Sequence, residues 1–138
     1  MILRGACHCG DLSLELSTAR SPDALVVRAC ACSHCEQRQA LYTADAAGHV
    51  RISARDPARV LRYRFALETA EFLSCGRCGC LLAAVTVEAP PRAVINVRCF
   101  PAALGFPKAA PAAVWDQEDR EARVARRRDG WTPATLEL

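Results

Sequence analysis

Cysteine is the residue that most constrains how this chain can fold. Of its nine cysteines, eight fall in three short clusters: CHCG at residues 7–10, CACSHC at residues 30–35 and CGRCGC at residues 75–80. The odd number of cysteines and their close spacing within each cluster favour metal ligation over a disulfide framework. The fold must therefore bring distant parts of the chain together around metal ions.

The third cluster contains a CxxCG knuckle, from Cys75 to Gly79. In a knuckle two thiolates converge on one ion, and the glycine permits the turn that exposes backbone N–H groups to sulfur. Tetrahedral zinc needs four ligands at about 2.3 Å, so this knuckle requires a second pair of ligands from elsewhere in the chain. Cys7 and Cys9 can supply that pair. The sequence therefore predicts a closed, structural four-thiolate site made by Cys7, Cys9, Cys75 and Cys78.

The middle cluster remains as a local CxCxxC motif with three thiols, Cys30, Cys32 and Cys35. Three protein ligands leave one position on zinc open to water, a substrate thiol or a carbonyl oxygen, which is typical of catalytic zinc. In the alternative, a further ligand closes this site as well, giving two structural zinc ions and no chemistry. The candidates for that closing ligand are His34, Cys80 and Cys99. A redox function is less favoured, because the motif lacks a lone nucleophile with a resolving partner.

The same residues also have simpler interpretations. His34 is predicted to be a loop histidine that faces solvent. Cys80 and Cys99 are interpreted as small apolar residues on strands. Trp115 and Trp131 are interpreted as core or lid aromatic residues rather than as binding platforms.

Short runs of alternating apolar and polar residues predict half-buried strands along the chain. These runs span residues 12–16, 24–29, 49–53, 60–65 and 70–73. Two longer runs, 81–88 and 93–99, are separated by Pro90 and Pro91, which suits a hairpin. In the segment 116–128 the acidic residues precede the arginines, a charge order that complements a helix dipole. The sequence therefore predicts a mainly β, antiparallel fold with a short C-terminal helix.

Charge and hydropathy exclude several classes of function. Eighteen basic and fifteen acidic residues give a net charge of +3, and no stripe of Lys and Arg with interleaved aromatic residues predicts a nucleic-acid interface. No apolar run approaches the ~20 residues that cross a bilayer, and no apolar stretch before Cys7 resembles a signal peptide. We therefore expect a cytoplasmic protein with small-molecule partners and with no nucleic-acid or membrane partner.

The order of the cysteine motifs resembles that of the glutathione-dependent formaldehyde-activating enzyme family, also called the centromere-protein-V type. CxCG at residues 7–10, CxCxxC at 30–35 and CxxCG at 75–79 are followed by the strand sequence AVINV at 93–97. Gly5, Gly10 and Gly79 match as well. The resemblance covers residues 4–105 and leaves 106–138 as a C-terminal extension of a single zinc domain spanning 1–138. It implies an Mss4-like fold of antiparallel sheets stapled by zinc.

The resemblance also implies two zinc ions per chain with different roles. The structural ion would be held by the outer cysteines, Cys7, Cys9, Cys75 and Cys78. The catalytic ion would be held by the middle cysteines, Cys30, Cys32 and Cys35. The implied activity is that of a carbon–sulfur lyase, in which glutathione or a related thiol adds to formaldehyde or a similar small aldehyde and gives S-hydroxymethylglutathione. Zinc would lower the pKa of a bound thiol or polarise the aldehyde oxygen.

Two further features bear on the substrate. Glutathione carries two carboxylates, so its site should present arginines near the open zinc, and Arg28 and Arg38 flank the middle cluster. The segment 36–40 lacks the glycine that the family commonly has there, so the pocket wall is expected to differ. The alternative to an enzyme is a non-catalytic, zinc-stabilised binding module of Mss4-like fold.

Overall fold

The computed structural model describes all 138 residues, and most of its regular elements are β-strands. The strands are β1 (Ile2–Ala6), β2 (Leu12–Ser17), β3 (Val27–Cys30), β4 (Leu41–Thr43), β5 (His49–Ala54), β6 (Val60–Tyr63), β7 (Ala70–Cys75), β8 (Leu81–Thr86), β9 (Arg92–Asn96), β10 (Ala112–Ala113) and β11 (Thr132–Glu137). The α-helices are α1 (Ser33–Arg38) and α2 (Arg120–Gly130). These elements confirm the predicted mainly β fold with a C-terminal helix.

The strands form one branched sheet. Its main path runs β1-β2-β5-β11-β9-β4-β3-β10, and β6, β7 and β8 join it through β9. On β9, Ile95 pairs with Ala83 of β8 along one edge and with Thr43 of β4 along the other. The rest of that second edge pairs with β11, at Thr132. The pairings are antiparallel except for β3 with β10 and β5 with β11, which are parallel and were not predicted.

The main core lies against β2, where leucines alternate with polar residues. Leu12, Leu14 and Leu16 are fully buried, and the polar residues between them are partly exposed. Alternate side chains of a strand point to opposite faces, so this pattern places one face of β2 against the core. Cys7 and Cys75 belong to the same cluster of buried residues, which also draws on β5, β8 and β9. The outer cysteines are therefore part of the main core.

α2 begins at an N-cap and leads directly into β11. The Asp119 side chain accepts a hydrogen bond from the backbone N–H of Ala122 at 2.8 Å, which satisfies one of the free donors of the first turn. After α2, β11 enters the sheet between β5 and β9. Neither helix has both the length and the apolar character needed to cross a membrane.

Five elements were not predicted from the sequence, namely β1, β4, β10, β11 and α1. β4 and β10 have three and two residues, too few to show a period of two. β1 contains Gly5 and β11 contains Pro133, and both residues weaken the signal of a strand interior. α1 has six residues, fewer than two turns, and lies inside the middle cysteine motif.

Two predicted strands differ from the observed strands by three residues at one end, and the predicted strands 60–65 and 81–88 each end two residues earlier, at Tyr63 and Thr86. The predicted strand 24–29 begins only at Val27, because the preceding Pro22–Ala24 form a 3₁₀ turn. The predicted strand 93–99 ends at Asn96, whose side-chain oxygen accepts a hydrogen bond from the backbone N–H of Arg98 at 3.2 Å. That contact starts a 3₁₀ turn over Val97–Cys99.

The turn at the end of β9 also changes the surroundings of two cysteines. Cys99 lies in that 3₁₀ turn, and Cys80 lies in the connection between β7 and β8. The prediction that both lie on strands is therefore wrong. Their sulfur atoms are 3.6 Å apart at the edge of the main core.

Leu14 and Leu61 allow a matched test of the core. Leu14 is fully buried in β2, whereas Leu61 of β6 is 54% exposed. We expect Leu14→Ala to lower the free energy of unfolding by about 2–5 kcal/mol, because it removes buried methyl groups and leaves a cavity. Leu61→Ala should change it by no more than about 0.5 kcal/mol. Urea denaturation of the metal-loaded proteins measures both, and equal losses would contradict this placement of the core.

Candidate metal centres and the adjoining cavity

The four outer cysteines meet in one cluster. The sulfur atoms that lie within 4.8 Å of one another are those of Cys7, Cys9, Cys75 and Cys78. Cys9 Sγ is 3.6 Å from Cys7 Sγ and 3.6 Å from Cys75 Sγ. Thiolates bound at about 2.3 Å to a tetrahedral ion stand about 3.8 Å apart, so this spacing fits such an ion. The structure thus brings together the four residues that the sequence grouped.

Two glycine-containing turns position these thiols. Gly10 and Gly79 have φ angles of 83° and 77°, in the left-handed region that favours glycine. Their N–H groups donate to the carbonyl oxygens of Cys7 and Cys75 at 3.0 and 2.8 Å. Each turn also directs a backbone N–H to sulfur, at 3.3 Å for Cys7 and 3.4 Å for Cys75. Local backbone geometry therefore sets both pairs of ligands.

The polar surroundings of this cluster favour a thiolate at Cys78. Burial raises the pKa of its thiol, but hydrogen bonds from the backbone N–H groups of Cys9 and Cys80 outweigh burial, and the pKa falls to about 6. Burial is the largest influence on Cys7, and the pKa of that thiol is raised. A cation that replaced the protons of the thiols with a raised pKa would complete a four-thiolate site.

The three middle cysteines form a second cluster. Their sulfur atoms also lie within 4.8 Å of one another. β3 ends at Cys30, Cys32 is the N-cap of α1, and Cys35 lies in the first turn of that helix. Cys32 Sγ accepts a hydrogen bond from the backbone N–H of Cys35 at 3.4 Å. The end of a strand and the start of a helix together fix the three sulfur atoms.

The middle thiols share their protons unequally. Hydrogen bonds from the Cys30 and Cys35 thiols lower the pKa of Cys32 to about 2. The neighbouring Cys30 and Cys32 sulfur atoms, together with burial, raise the pKa of Cys35. A thiolate beside two thiols is a state that a divalent cation converts into three thiolates, with release of the protons. The donor set therefore fits a thiophilic ion such as Zn²⁺.

Tyr42 is a residue of this site that the sequence analysis missed. Its hydroxyl lies 3.3 Å from Cys35 Sγ. Burial raises the pKa of Tyr42 well above its usual value, so the phenol stays protonated and donates to the sulfur. The side chain is held by β4, where Tyr42 pairs with Asn96 of β9. Such outer donors orient metal ligands and tune their basicity.

None of the three residues considered as a closing ligand joins the middle thiols. His34 is buried, and its ring centroid lies 4.5 Å from that of Phe72. The prediction that His34 faces solvent is wrong, because α1 turns the ring inward onto aromatic residues of β6 and β7. Cys80 and Cys99 lie in the main core with the outer cysteines, whereas the middle cysteines belong to a separate small cluster.

A cavity of about 320 Å³ opens beside the middle cluster. Cys30 and Cys35 lie in its wall, together with Tyr42. An adjoining cavity of about 290 Å³ shares Cys30 and reaches Cys32. None of the outer cysteines lines either cavity. The middle cluster is therefore the one that a small molecule can approach from these cavities.

Arginines of α2 form the cationic part of the cavity wall. Arg126 and Arg127 line both cavities, and Arg28 lines the larger one. Arg38, by contrast, lines neither; it is exposed and donates from Nη1 to the carbonyl oxygen of His34 at 3.0 Å. The sequence analysis missed the two α2 arginines, because only the fold brings the helix close to the middle cluster. Trp115 and Trp131 line the larger cavity as well.

Comparison with known proteins identifies a family and a shared fold. The family model described as "Glutathione-dependent formaldehyde-activating enzyme" matches residues 2–117. No curated protein matches the chain. A solved structure described as the crystal structure of a Rhodobacter sphaeroides protein is 24% identical, has a TM-score of 0.61, and covers 80% of this chain and 100% of its own. At this level of identity the likeness shows a common fold.

Cys78→Ser tests whether the outer cluster holds a structural ion. Binding of such an ion contributes folding free energy directly, so we expect loss of one bound metal ion per chain together with a lower melting temperature or aggregation. Cys80→Ser is the control, because Cys80 lies in the same connection but outside the group of four sulfur atoms. Metal analysis and thermal denaturation measure both effects. Full metal content and unchanged melting of Cys78→Ser would refute a structural ion here.

Tyr42→Phe tests the hydrogen bond to Cys35. Loss of an outer donor should raise the metal dissociation constant of the middle site about tenfold. Tyr63→Phe is the matched control, because Tyr63 is 53% exposed on β6. Competition with a chromophoric zinc chelator measures both variants. Unchanged affinity in Tyr42→Phe would show that this hydroxyl does not support the metal ligand.

Proposed function

We propose that this chain, which belongs to the glutathione-dependent formaldehyde-activating enzyme family, is a zinc-dependent carbon–sulfur lyase. Its reaction is the addition of glutathione or a related thiol to formaldehyde or a similarly small aldehyde. One observation carries the proposal: Cys30 and Cys35 of the three-thiol cluster lie in the wall of a cavity of about 320 Å³, whereas no member of the four-thiol cluster does. A fourth ligand of the middle ion could therefore come from the cavity.

The proposed ligands divide into two sets. Zinc at the open site is held by Cys30, Cys32 and Cys35, which matches the three-ligand pattern of catalytic zinc. Bound there, zinc supplies Lewis-acid chemistry, because it lowers the pKa of a coordinated thiol and polarises an aldehyde oxygen. A second, structural zinc is held by Cys7, Cys9, Cys75 and Cys78, in the main core. On this proposal residues 1–138 act as a single zinc domain.

The reaction needs no oxidant or reductant. A carbon–sulfur bond forms between the thiol sulfur and the aldehyde carbon, the carbonyl π bond breaks, and the thiol proton is retained by the new hydroxyl group. Tyr42 keeps its proton and donates it in a hydrogen bond to Cys35 Sγ, which holds that sulfur in place. Phe72 and Trp131 give the cavity apolar walls, which limit the water that competes with the thiol for the aldehyde.

The charge at the middle site would allow the fourth ligand of the ion to exchange. Three thiolates around a divalent cation leave a net charge of −1, which weakens attraction for a further anionic ligand relative to a histidine-ligated ion. Arg28 and Arg126 in the cavity wall offset part of this repulsion for an anionic substrate. The middle site offers three protein ligands and borders the cavities, whereas the outer site offers four, so we expect the middle site to lose its metal first when the protein is treated with a chelator.

Cys32→Ser tests the catalytic role of the middle cluster. We expect thiol-dependent consumption of formaldehyde to be lost, because one ligand is removed. The melting temperature should fall far less than in Cys78→Ser, since the outer ion and main core remain. The assay follows formaldehyde with and without glutathione, in wild type and variant. Equal rates in the two proteins would exclude catalysis at this cluster, and no thiol-dependent consumption in wild type would favour a non-catalytic binding module.

A further inference from the structure

α2 brings Arg123, Arg126 and Arg127 to the two cavities, and the carboxylate that pairs with the first two is that of Glu118. Arg126 donates from Nε and Nη2 to this carboxylate at 2.8 and 2.9 Å. Arg123 Nε lies 3.7 Å from the same carboxylate. Arg127 forms no ion pair; its Nη1 donates to Thr69 Oγ1 at 2.6 Å, and its buried Nε has no hydrogen-bond partner. The three arginines and Glu118 carry a net charge of +2, and the exposed Asp116 in the wall of the adjoining cavity leaves an excess of one positive charge there.

Holding these like charges close together is electrostatically unfavourable in the folded protein. Burial, followed by the positive charges of Arg126 and Arg123, lowers the pKa of Arg127 to about 10. The Arg127 guanidinium still carries its proton at neutral pH. Like charges held together in a partly buried wall favour the binding of an anion, because an anion relieves their repulsion and satisfies their free N–H groups.

Apart from Arg28, Tyr42 and Thr43, the remainder of the larger cavity is largely apolar, and it carries no carboxylate. Its apolar lining includes Phe72, Val94, Trp115 and Trp131. The guanidinium carbon of Arg126 lies 3.9 Å from the centroid of the Trp115 ring, and that of Arg127 lies 4.7 Å from the Trp131 ring. No Asp or Glu lines this cavity, so no carboxylate there can accept the ammonium group of glutathione. In the adjoining cavity the acidic lining residue is Asp116, which is exposed.

We propose that the thiol substrate of this site is a small thiol with an apolar body and one carboxylate. Its sulfur is directed to the middle cluster, and its carboxylate binds Arg126 and Arg127. The assignment rests on the proposed function, since it names the thiol of the same reaction. Both arginines lie on α2, beyond residues 2–117 that the family model matches. The selectivity is therefore a feature of this chain's own C-terminal segment.

Calorimetric titration of the zinc-loaded protein with 6-mercaptohexanoate, in the absence of aldehyde, tests this assignment. We expect its methyl ester to bind at least about tenfold more weakly, because the charge-assisted hydrogen bonds are lost. Hexanoate, which lacks the thiol, and glutathione, which carries an ammonium group, should also bind more weakly than 6-mercaptohexanoate. Equal binding of the ester, equal binding of hexanoate, or tighter binding of glutathione would overturn the assignment.

Two measurements locate the ligand. The chain has two tryptophans, both in the wall of the larger cavity, so 6-mercaptohexanoate should change their fluorescence. Arg126→Met should weaken its binding about tenfold and leave the ester unaffected. Arg128→Met is the matched control, since Arg128 is exposed on the same helix and lines neither cavity. Equal losses for acid and ester in Arg126→Met would show a merely structural role and overturn the assignment; if that variant fails to fold, the ester comparison in wild type decides.

Turnover measurements separate this inference from the lyase proposal. If the protein binds 6-mercaptohexanoate selectively but none of the thiols supports consumption of formaldehyde, the ligand assignment stands and the lyase proposal fails. If glutathione supports faster consumption than 6-mercaptohexanoate, the lyase proposal stands and the ligand assignment fails. Faster consumption with 6-mercaptohexanoate supports both.

Discussion

The convergence of four cysteine sulfurs from two separate hairpins is the constraint on which the rest of the structure depends. Four thiolates within 4.8 Å of one another repel strongly unless a cation or protons neutralise them. A cation bound by these four sulfurs would link the hairpin β1–β2 to the connection after β7 and fix their mutual position. Because Cys7 and Cys75 are also buried in the main core, metal binding there would reinforce the packing of the sheet.

Two clusters with the same ligand chemistry differ in their surroundings. The outer cysteines are embedded in the main core, where both pairs are held by backbone turns. The middle cysteines lie in a small cluster of their own, with a cavity on one side and Tyr42 behind Cys35. What distinguishes the two clusters is access, which depends on the position of β3, β4 and α2 rather than on the identity of the ligands.

The sequence was informative wherever the interaction that matters is local. Both cysteine groups follow from spacing. The CxCG and CxxCG turns present the outer thiols by backbone geometry, and the CxCxxC motif places the three middle thiols within six residues. The leucines of β2 follow from alternation, since one face of the strand is buried. The inward ring of His34, the hydroxyl of Tyr42 and the arginines of α2 could not be predicted, because each depends on contacts between segments that are distant in the chain. For the same reason Arg38 was chosen from its proximity in sequence, although its side chain lies away from the cavities.

The place of β11 in the sheet has a consequence for synthesis on the ribosome. β11 is the strand that joins β1, β2 and β5 to the remaining strands, and it follows all of them in the chain. Until residues 132–137 have left the exit tunnel, the two half-sheets have no strand pairing between them. The segment immediately before β11 is α2, which carries the arginines of the cavity wall. A nascent chain can therefore assemble its cysteine turns early, whereas the joined sheet and the arginine-lined cavity wall form only after α2 and β11 have emerged.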